Sequence, residues 1–181
     1  MEATNRAIEQ MKGHVFVAHS WAGVVITEAG NNSKVKGLVY TCAFAPNDTE
    51  SLEDVAKTYP LASGNKEVQI STSGFLSLSL KGLQEEFAQD LPQIDKEIMY
   101  VTQGAWAAKC TTEKISNAAW KIKPSWFIIG TNDHMINSEL QRAKAKRLKA
   151  NILEVKTSHV PMLSQPEKVA GFIIEAANNS H

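Results

Sequence analysis

The sequence predicts an α/β fold with a parallel sheet of about four strands, flanking helices and a helical lid inserted in its middle. Short apolar, β-branched runs alternate with helical patterns at both ends of the chain, which is the order of a parallel sheet with crossover helices. Polar turns follow three of these runs, at the sheet end where ligands bind in such folds. The chain has 181 residues, enough for one domain with its own core.

The first half of the sheet is predicted from two pairs of elements. A helical pattern over 3–12 ends at Gly13, a residue type that favours helix C-termini. A strand over 14–18 and a helix over 21–30 follow. The second strand, 35–42, is almost continuously apolar at its centre, as expected for a strand buried on both faces.

The middle of the chain, about 47–123, is predicted to be a helical lid without strands. Short helical patterns at 51–58, 80–89 and 92–102 alternate with turns that contain Gly or Ser. Because this segment interrupts an alternation of strands and helices that resumes after it, we assign residues 1–181 to one domain that carries an insertion.

The second half of the sheet is predicted after this insertion. An apolar strand covers 125–130, a helix follows over 138–149, and a fourth strand covers 151–155. A last amphipathic helix contains Phe172 on its apolar face.

Composition excludes several classes of function. Acidic and basic residues are equal in number, so no net field attracts nucleic acid or an anionic membrane. The basic cluster 142–149 fits a solvated helix face. Neither a signal peptide nor a membrane-spanning run is found in the sequence. Cys42 and Cys110 form no disulfide framework and lack metal-ligand spacing with histidine. We therefore expect a cytoplasmic protein without metal or organic cofactor.

Ser20 is the candidate nucleophile. It lies in the segment Ala18-His19-Ser20-Trp21-Ala22-Gly23, a small-x-Ser-x-small pattern between a strand and a helix. A nucleophile elbow requires small residues two positions before and after the serine, because the turn is sharp. The backbone N–H of Trp21, at the start of the helix, is then expected to face a developing oxyanion.

Two carboxylates compete for the role of the catalytic acid. Asp133 lies in the polar turn after the strand 125–130 and precedes a helix. Asp48 follows the second strand, where some hydrolases place their acid. An acid at either place would orient an imidazole. We favour Asp133, because it follows a clean strand, and keep Asp48 as the alternative.

His159 is the candidate general base, because it alone among the five histidines occupies the loop after the last strand. This gives the chain order Ser, Asp, His that is typical of α/β-hydrolases. The other four fit less well: His14 begins a strand, His19 is expected to point into the sheet, His134 shares the turn of the acid, and His181 is the terminus.

Four segments carry a resemblance to a known family. They are 17–30 around Ser20, 35–40, 43–46 (Ala-Phe-Ala-Pro) and 163–166 (Leu-Ser-Gln-Pro). Together they resemble small α/β-hydrolase-fold esterases, similar to the plant methylesterase and hydroxynitrile lyase group. The likeness extends over essentially the whole chain.

The resemblance implies hydrolysis of a small carboxylic ester by a triad of Ser20, Asp133 and His159 under a helical lid. Ala22 stands where many members have glycine, and a methyl group is small enough to be tolerated. Trp21, Phe75 and Trp106 are expected to line an apolar substrate pocket. A lyase is the alternative chemistry; such relatives use an additional lid lysine, for which Lys81, Lys96 and Lys109 are candidates.

One departure from this family concerns the region before Ser20. Members of the family carry further strands and a His-Gly loop there, and that loop supplies a second oxyanion donor. We therefore expect a truncated chain, and loss of one such donor costs about a hundred- to thousand-fold in turnover. A catalytically impaired hydrolase fold is thus a second alternative. The strand before Ser20 would form an open apolar edge through which the chain self-associates.

Overall fold

The structure is a computed structural model, and it describes residues 2–180. Met1, at which the truncation is expected, and His181, set aside above as a catalytic candidate, lie outside the described residues. The helices and strands are α1 Glu2–Gln10, β1 Val15–His19, α2 Ala22–Ala29, β2 Gly37–Thr41, α3 Leu52–Ala56, β3 Val68–Ile70, β4 Phe75–Leu78, α4 Gln93–Thr102, β5 Trp106–Ala107, β6 Ser125–Gly130, α5 Ser138–Arg147, β7 Asn151–Val155, α6 Pro161–Ser164 and α7 Pro166–Asn178.

The main sheet has four strands in the order β1-β2-β6-β7, and all neighbouring strands are parallel. This confirms the predicted α/β fold and its four strands. Parallel strands end at the same edge of a sheet, so the loops that follow His19, Gly130 and Val155 emerge together. These loops contain Ser20, Asp133 and His159, respectively.

The core consists of two apolar layers, one on each face of this sheet. Leu38 and Phe127 face one layer, which α1, α2 and α5 cover. Their chain neighbours Val39 and Trp126 face the other layer, which α7 covers. Side chains alternate between the two faces of a strand, so the continuous apolar runs of β2 and β6 follow directly from burial on both sides.

The prediction that the lid contains no strand is wrong. β3, β4 and β5 form a second, antiparallel sheet, in which β3 and β4 are joined by a turn containing Gly74 at φ 79°. These strands have only three, four and two residues. Alternation of polar and apolar residues is too short in such strands to outweigh helical patterns nearby.

The helical parts of the lid also differ in kind from the prediction. The pattern at 80–89 becomes a π-helix over Gly82–Phe87, and π-helical turns are frequent at functional sites. The pattern at 92–102 is confirmed as α4. No helix in the described part of the chain is both long and apolar enough to cross a bilayer.

Candidate active site

Ser20 occupies a strained turn between β1 and α2. Its φ is 57°, a left-handed backbone conformation that residues other than Gly, Asn and Asp seldom adopt. The Ser20 amide donates to the Thr41 carbonyl at 3.2 Å, and the Ser20 carbonyl accepts from the Phe44 amide at 3.2 Å. A Cβ on Gly23 would lie 2.1 Å from the Phe44 oxygen, so the close approach of these backbones requires glycine there. This geometry is that of a nucleophile elbow.

The amide of Trp21 begins the helix that follows the elbow. Trp21 is the residue before α2, and its N–H has no acceptor within residues 2–180. Amides in the first turn of a helix lack intrahelical partners and carry the positive end of the helix dipole. The Trp21 N–H is therefore available to a negatively charged oxygen that forms next to Ser20.

Asp133 and His159 are brought into direct contact. The His159 Nδ1 lies 2.8 Å from Asp133 Oδ2, and both residues are buried. The same Oδ2 accepts from Gln141 Nε2 at 2.8 Å, while Oδ1 accepts from the amides of Met135 and Ile136 at 2.8 and 3.0 Å. The carboxylate thus has four donors, which fix its position and its orientation toward the imidazole.

Two opposing effects act on the pKa of Asp133. Burial raises the pKa, but the charge of His159 and the hydrogen bonds from His159, Ile136 and Met135 lower it by more, so it lies below the ordinary value for an aspartate. Asp133 is consequently ionised at neutral pH. It can hold a proton on His159 Nδ1, which leaves Nε2 free to accept one.

Ser20 lies at the same edge of the sheet as this pair but is not bonded to it. Within residues 2–180 the Ser20 hydroxyl makes no side-chain hydrogen bond, neither to His159 nor to another group. Hydrogen bonds between nucleophile and base are often long without substrate and shorten in the complex. The structure therefore brings two of the three predicted residues into contact and leaves the third nearby with a free hydroxyl.

The lid segment 87–90, at the end of the π-helix, crosses the loops that contain Asp133 and His159. Its hydrogen bonds run from the His159 amide to the Phe87 carbonyl at 3.2 Å, from the Ser158 amide to Asp90 Oδ2 at 2.8 Å and from Gln89 Nε2 to the Asn132 carbonyl at 2.7 Å. The Phe87 ring also packs edge-on against His159, with ring centroids 4.9 Å apart. The lid segment thus holds His159 through its backbone as well as packing against its ring.

The remaining acid and histidine candidates lie in other surroundings. The half-exposed Asp48 accepts from the Ala118 amide at 2.7 Å and pairs with Lys121, so it does not serve the imidazole. His14 Nε2 lies 3.0 Å from the Ala177 carbonyl, far from the elbow. His134 pairs with Glu86 at 3.2 Å and helps to hold the lid.

His19 corrects one prediction. We expected its side chain to point into the sheet, but its Nε2 lies 2.7 Å from the His159 carbonyl oxygen. His19 is the last residue of β1, so its side chain leaves the strand at the edge where the catalytic loops meet. Its contact is with the loop of the base.

Two of the three residues predicted to line a pocket are in contact. The rings of Trp21 and Trp106 are tilted against each other with centroids 5.8 Å apart. Phe75, on β4, is 42% exposed and pairs through its backbone with Ala107. A cavity of about 460 Å³ lies beside the elbow, and Trp21, Val24 and Ile115 are among its lining residues, whereas Phe75 and Trp106 are not.

The arrangement gives little support to a lyase lysine or a metal centre. Lys81 lies 3.8 Å from Glu67, and in the described part of the chain neither it nor Lys96 or Lys109 bonds to Ser20 or His159. Cys42 offers a thiol within 4.8 Å of the Asp133 and His159 donor atoms. Burial and the charge of Asp133 raise the pKa of this thiol, so it stays protonated and is a poor metal ligand.

Sequence reasoning did not find three residues that complete the site. Gln141 is fully buried and bonds to Asp133, Phe87 covers His159, and His19 holds the loop of His159. Gln141 fits the polar face of a helix, and Phe87 fits ordinary lid packing. Only for His19 did the sequence contain a signal of a role in the site, namely its position next to the candidate nucleophile Ser20.

The sequence matches the model of the alpha/beta hydrolase family over residues 2–172. No curated protein matches the chain. One similar solved structure is polyneuridine aldehyde esterase, with a TM-score of 0.79 and 18% sequence identity over 96% of this chain and 76% of that one. A second is a pyrethroid hydrolase from Sphingobium faniae JZ-2, with a TM-score of 0.78 and 19% identity over 98% of this chain and 76% of that one. A third is tomato methylketone synthase I in complex with 2-tridecanone, with a TM-score of 0.81 and 14% identity over 98% of this chain and 77% of that one. At these identities the likeness to solved structures concerns the fold.

Proposed function

This chain belongs to the alpha/beta hydrolase family, and we propose that it is a serine hydrolase that cleaves small carboxylic esters through an acyl-enzyme. One observation carries the proposal: the strained Ser20 turn shares a sheet edge with the hydrogen-bonded pair of Asp133 and His159. Two similar structures are named as an esterase and a hydrolase, which fits the same class of reaction.

In the proposed mechanism Ser20 Oγ attacks the carbonyl carbon of the ester while His159 Nε2 accepts the hydroxyl proton. The resulting oxyanion accepts a hydrogen bond from the Trp21 N–H. His159 then donates the proton to the departing alcohol, and the acyl group remains on Ser20. Water, deprotonated by His159, attacks this ester in turn and releases the carboxylic acid and free Ser20.

Asp133 has an electrostatic part in this mechanism. Because its pKa is held below the ordinary value, it is negative at neutral pH and stabilises the imidazolium that forms on His159. Its three other donors, the amides of Met135 and Ile136 and the Gln141 side chain, restrain it in that position. The acid therefore need not reorganise during the reaction.

The cavity beside the elbow has a mixed lining: Trp21, Val24 and Ile115 are apolar, and Glu28, Glu113 and Lys114 are charged. Small-molecule sites combine apolar walls with a few polar groups that orient the ligand. The free thiols of Cys42 and Cys110 are consistent with a reducing compartment such as the cytoplasm.

A fluorophosphonate probe tests this proposal, because it reacts only with an activated serine. We expect stoichiometric labelling of Ser20, identified by mass spectrometry, and hydrolysis of p-nitrophenyl acetate. Ser20→Ala should abolish both, whereas Ser73→Ala, at an exposed lid turn, should change neither. A wild-type chain that binds no probe and hydrolyses no ester would instead support the catalytically impaired fold.

A further inference from the structure

We propose that His19 is a positioning residue for the proposed hydrolysis, with its Nε2–H holding the backbone carbonyl of His159 so that nucleophile and base keep a fixed separation. This inference rests on the proposed function, since it assigns a role in aligning Ser20 with His159. It concerns a side chain that touches neither substrate nor reacting atoms.

The hydrogen bond joins two catalytic loops that are 140 residues apart in sequence. His19 immediately precedes Ser20, and its Nε2 lies 2.7 Å from the carbonyl oxygen of His159. A carbonyl oxygen can only accept, so Nε2 must carry the hydrogen, and in the neutral ring Nδ1 is then without one. The bond therefore ties the residue before the nucleophile to the backbone of the base.

Ring packing adds a second restraint on the base. The centroids of His19 and His159 are 4.6 Å apart with their planes at 51°. Phe87 packs against His159 from a centroid distance of 4.9 Å, at 65° to its plane. Because two rings pack against the imidazole of His159, its rotation away from Asp133 is hindered.

The bond persists while the base changes its charge. Burial lowers the pKa of His19 to about 3, and the positive charge of His159 contributes to the lowering. Asp133 is the other charged group that acts on His19, and it acts in the opposite direction. His19 thus stays neutral when His159 becomes an imidazolium, so the donor is present throughout the cycle and no second cation arises beside the first.

Four variants separate this role from simple packing. His19→Phe keeps a ring but removes the donor, His19→Gln places an amide N–H at nearly the reach of Nε2, and His19→Asn offers the same amide one carbon short. His14→Phe is the matched control, because His14 also bonds a backbone carbonyl through Nε2, that of Ala177, but away from the site.

The measurements are kcat and KM for p-nitrophenyl acetate and the rate of fluorophosphonate labelling, each normalised to titrated active sites. Misplacement of a catalytic group by about 1 Å costs about a hundredfold in rate, so we expect losses in kcat of about tenfold or more for His19→Phe and His19→Asn, with KM within about twofold. His19→Gln should recover to within about threefold of wild type, and His14→Phe should match wild type.

The outcomes distinguish the two proposals. Wild-type kcat in His19→Phe and His19→Asn overturns the positioning role, and so does equal loss in the Gln and Asn variants, since a role in packing alone would not distinguish the reach of two amides. If His19→Phe fails to fold, the comparison of Gln with Asn still decides. A wild-type protein that takes up no probe overturns the proposed hydrolase function itself, irrespective of His19.

Discussion

Gln141 donates through Nε2 to the carboxylate oxygen of Asp133 that also accepts from His159. Gln141 is fully buried on α5, and its amide also donates to the Ile136 carbonyl at 3.0 Å. The carboxylate oxygen that faces the imidazole is therefore also held by a helix that packs against the sheet.

Replacement of Gln141 by Leu tests this restraint. The substitution removes one of the four hydrogen bonds to the Asp133 carboxylate and the hydrogen bond from Gln141 to the Ile136 carbonyl, and loss of such buried bonds costs about 1–3 kcal/mol of unfolding free energy. We also expect slower fluorophosphonate labelling, because Asp133 is less firmly oriented. Urea denaturation and labelling rates measure the two effects. Gln10→Leu, at an exposed position of α1, is the matched control; unchanged stability of Gln141→Leu would contradict this account.

Asp133 and Asp48 were the two candidate acids, and an amide at each position tests the choice. Asp133→Asn keeps the shape but removes the charge that fixes the imidazole tautomer, and such a change lowers kcat by about 10⁴-fold in a known triad. Asp48→Asn should keep wild-type kcat, because Asp48 pairs with Lys121 away from His159. Steady-state hydrolysis of p-nitrophenyl acetate distinguishes them. The reverse pattern of losses would assign the acid to Asp48.

The sheet could be predicted from the sequence, and the local surroundings of the candidate catalytic residues could not. β2 and β6 are buried on both faces, so each appears in the sequence as a nearly continuous apolar run. β3 and β4 are short, and the helical patterns around them led to the prediction of a lid without strands. The partners of Asp133 and His159 depend on tertiary contacts: Gln141 comes from α5 and Phe87 from the lid, and neither has a local pattern that points to catalysis.

The lowered pKa values of His19 and Asp133 predict that the folded protein loses stability in acid. The pKa of His19 is lowered from 6.5 to about 3, so between these values the unfolded chain binds a proton that the folded chain does not. Stability therefore falls as pH falls through this window, by about 2–3 kcal/mol between pH 6.5 and 4.5 from His19 alone. The pKa of Asp133 is also lowered, and its contribution is lost as pH falls below the ordinary range of an aspartate.

Urea denaturation at pH 7 and pH 4.5 measures this effect, and His19→Gln isolates its source. The variant should lose about 2–3 kcal/mol less between the two pH values than the wild type, since glutamine does not titrate. An identical pH dependence in both proteins would show that His19 is not the group responsible.

Gly23 sets the sharpness of the elbow, and alanine there should be destabilising. The added Cβ would meet the Phe44 carbonyl oxygen at 2.1 Å and the Ala43 Cβ at 3.0 Å, and overpacking of this kind costs about 3 kcal/mol. Gly171→Ala is the matched control, because nothing lies within 4 Å of its Cβ position on α7. That helix should gain about 0.5–1 kcal/mol. Thermal denaturation compares them, and equal stability of the two variants would contradict the tight contact.

The two outer strands of the main sheet differ in how they meet solvent. Of the described strands, β1 pairs only with β2, and β7 pairs only with β6. β7 carries Glu154, which forms an ion pair with Arg142 at 2.7 Å, and charged side chains on an edge oppose pairing with another chain. β1 contains no acidic or basic residue other than the terminal His19, and its Val17 is 44% exposed.

We therefore predict that the chain self-associates through β1 rather than β7. Sedimentation velocity should show an average mass that rises with protein concentration. Val17→Lys places a charge on the β1 edge and should suppress the rise, whereas Ile152→Lys, at a comparably exposed position of β7, should not. Because both variants add one lysine to an edge strand, a change in net charge cannot account for a difference between them. A monomer at every concentration, or suppression by Ile152→Lys alone, would show that β1 is not the associating edge.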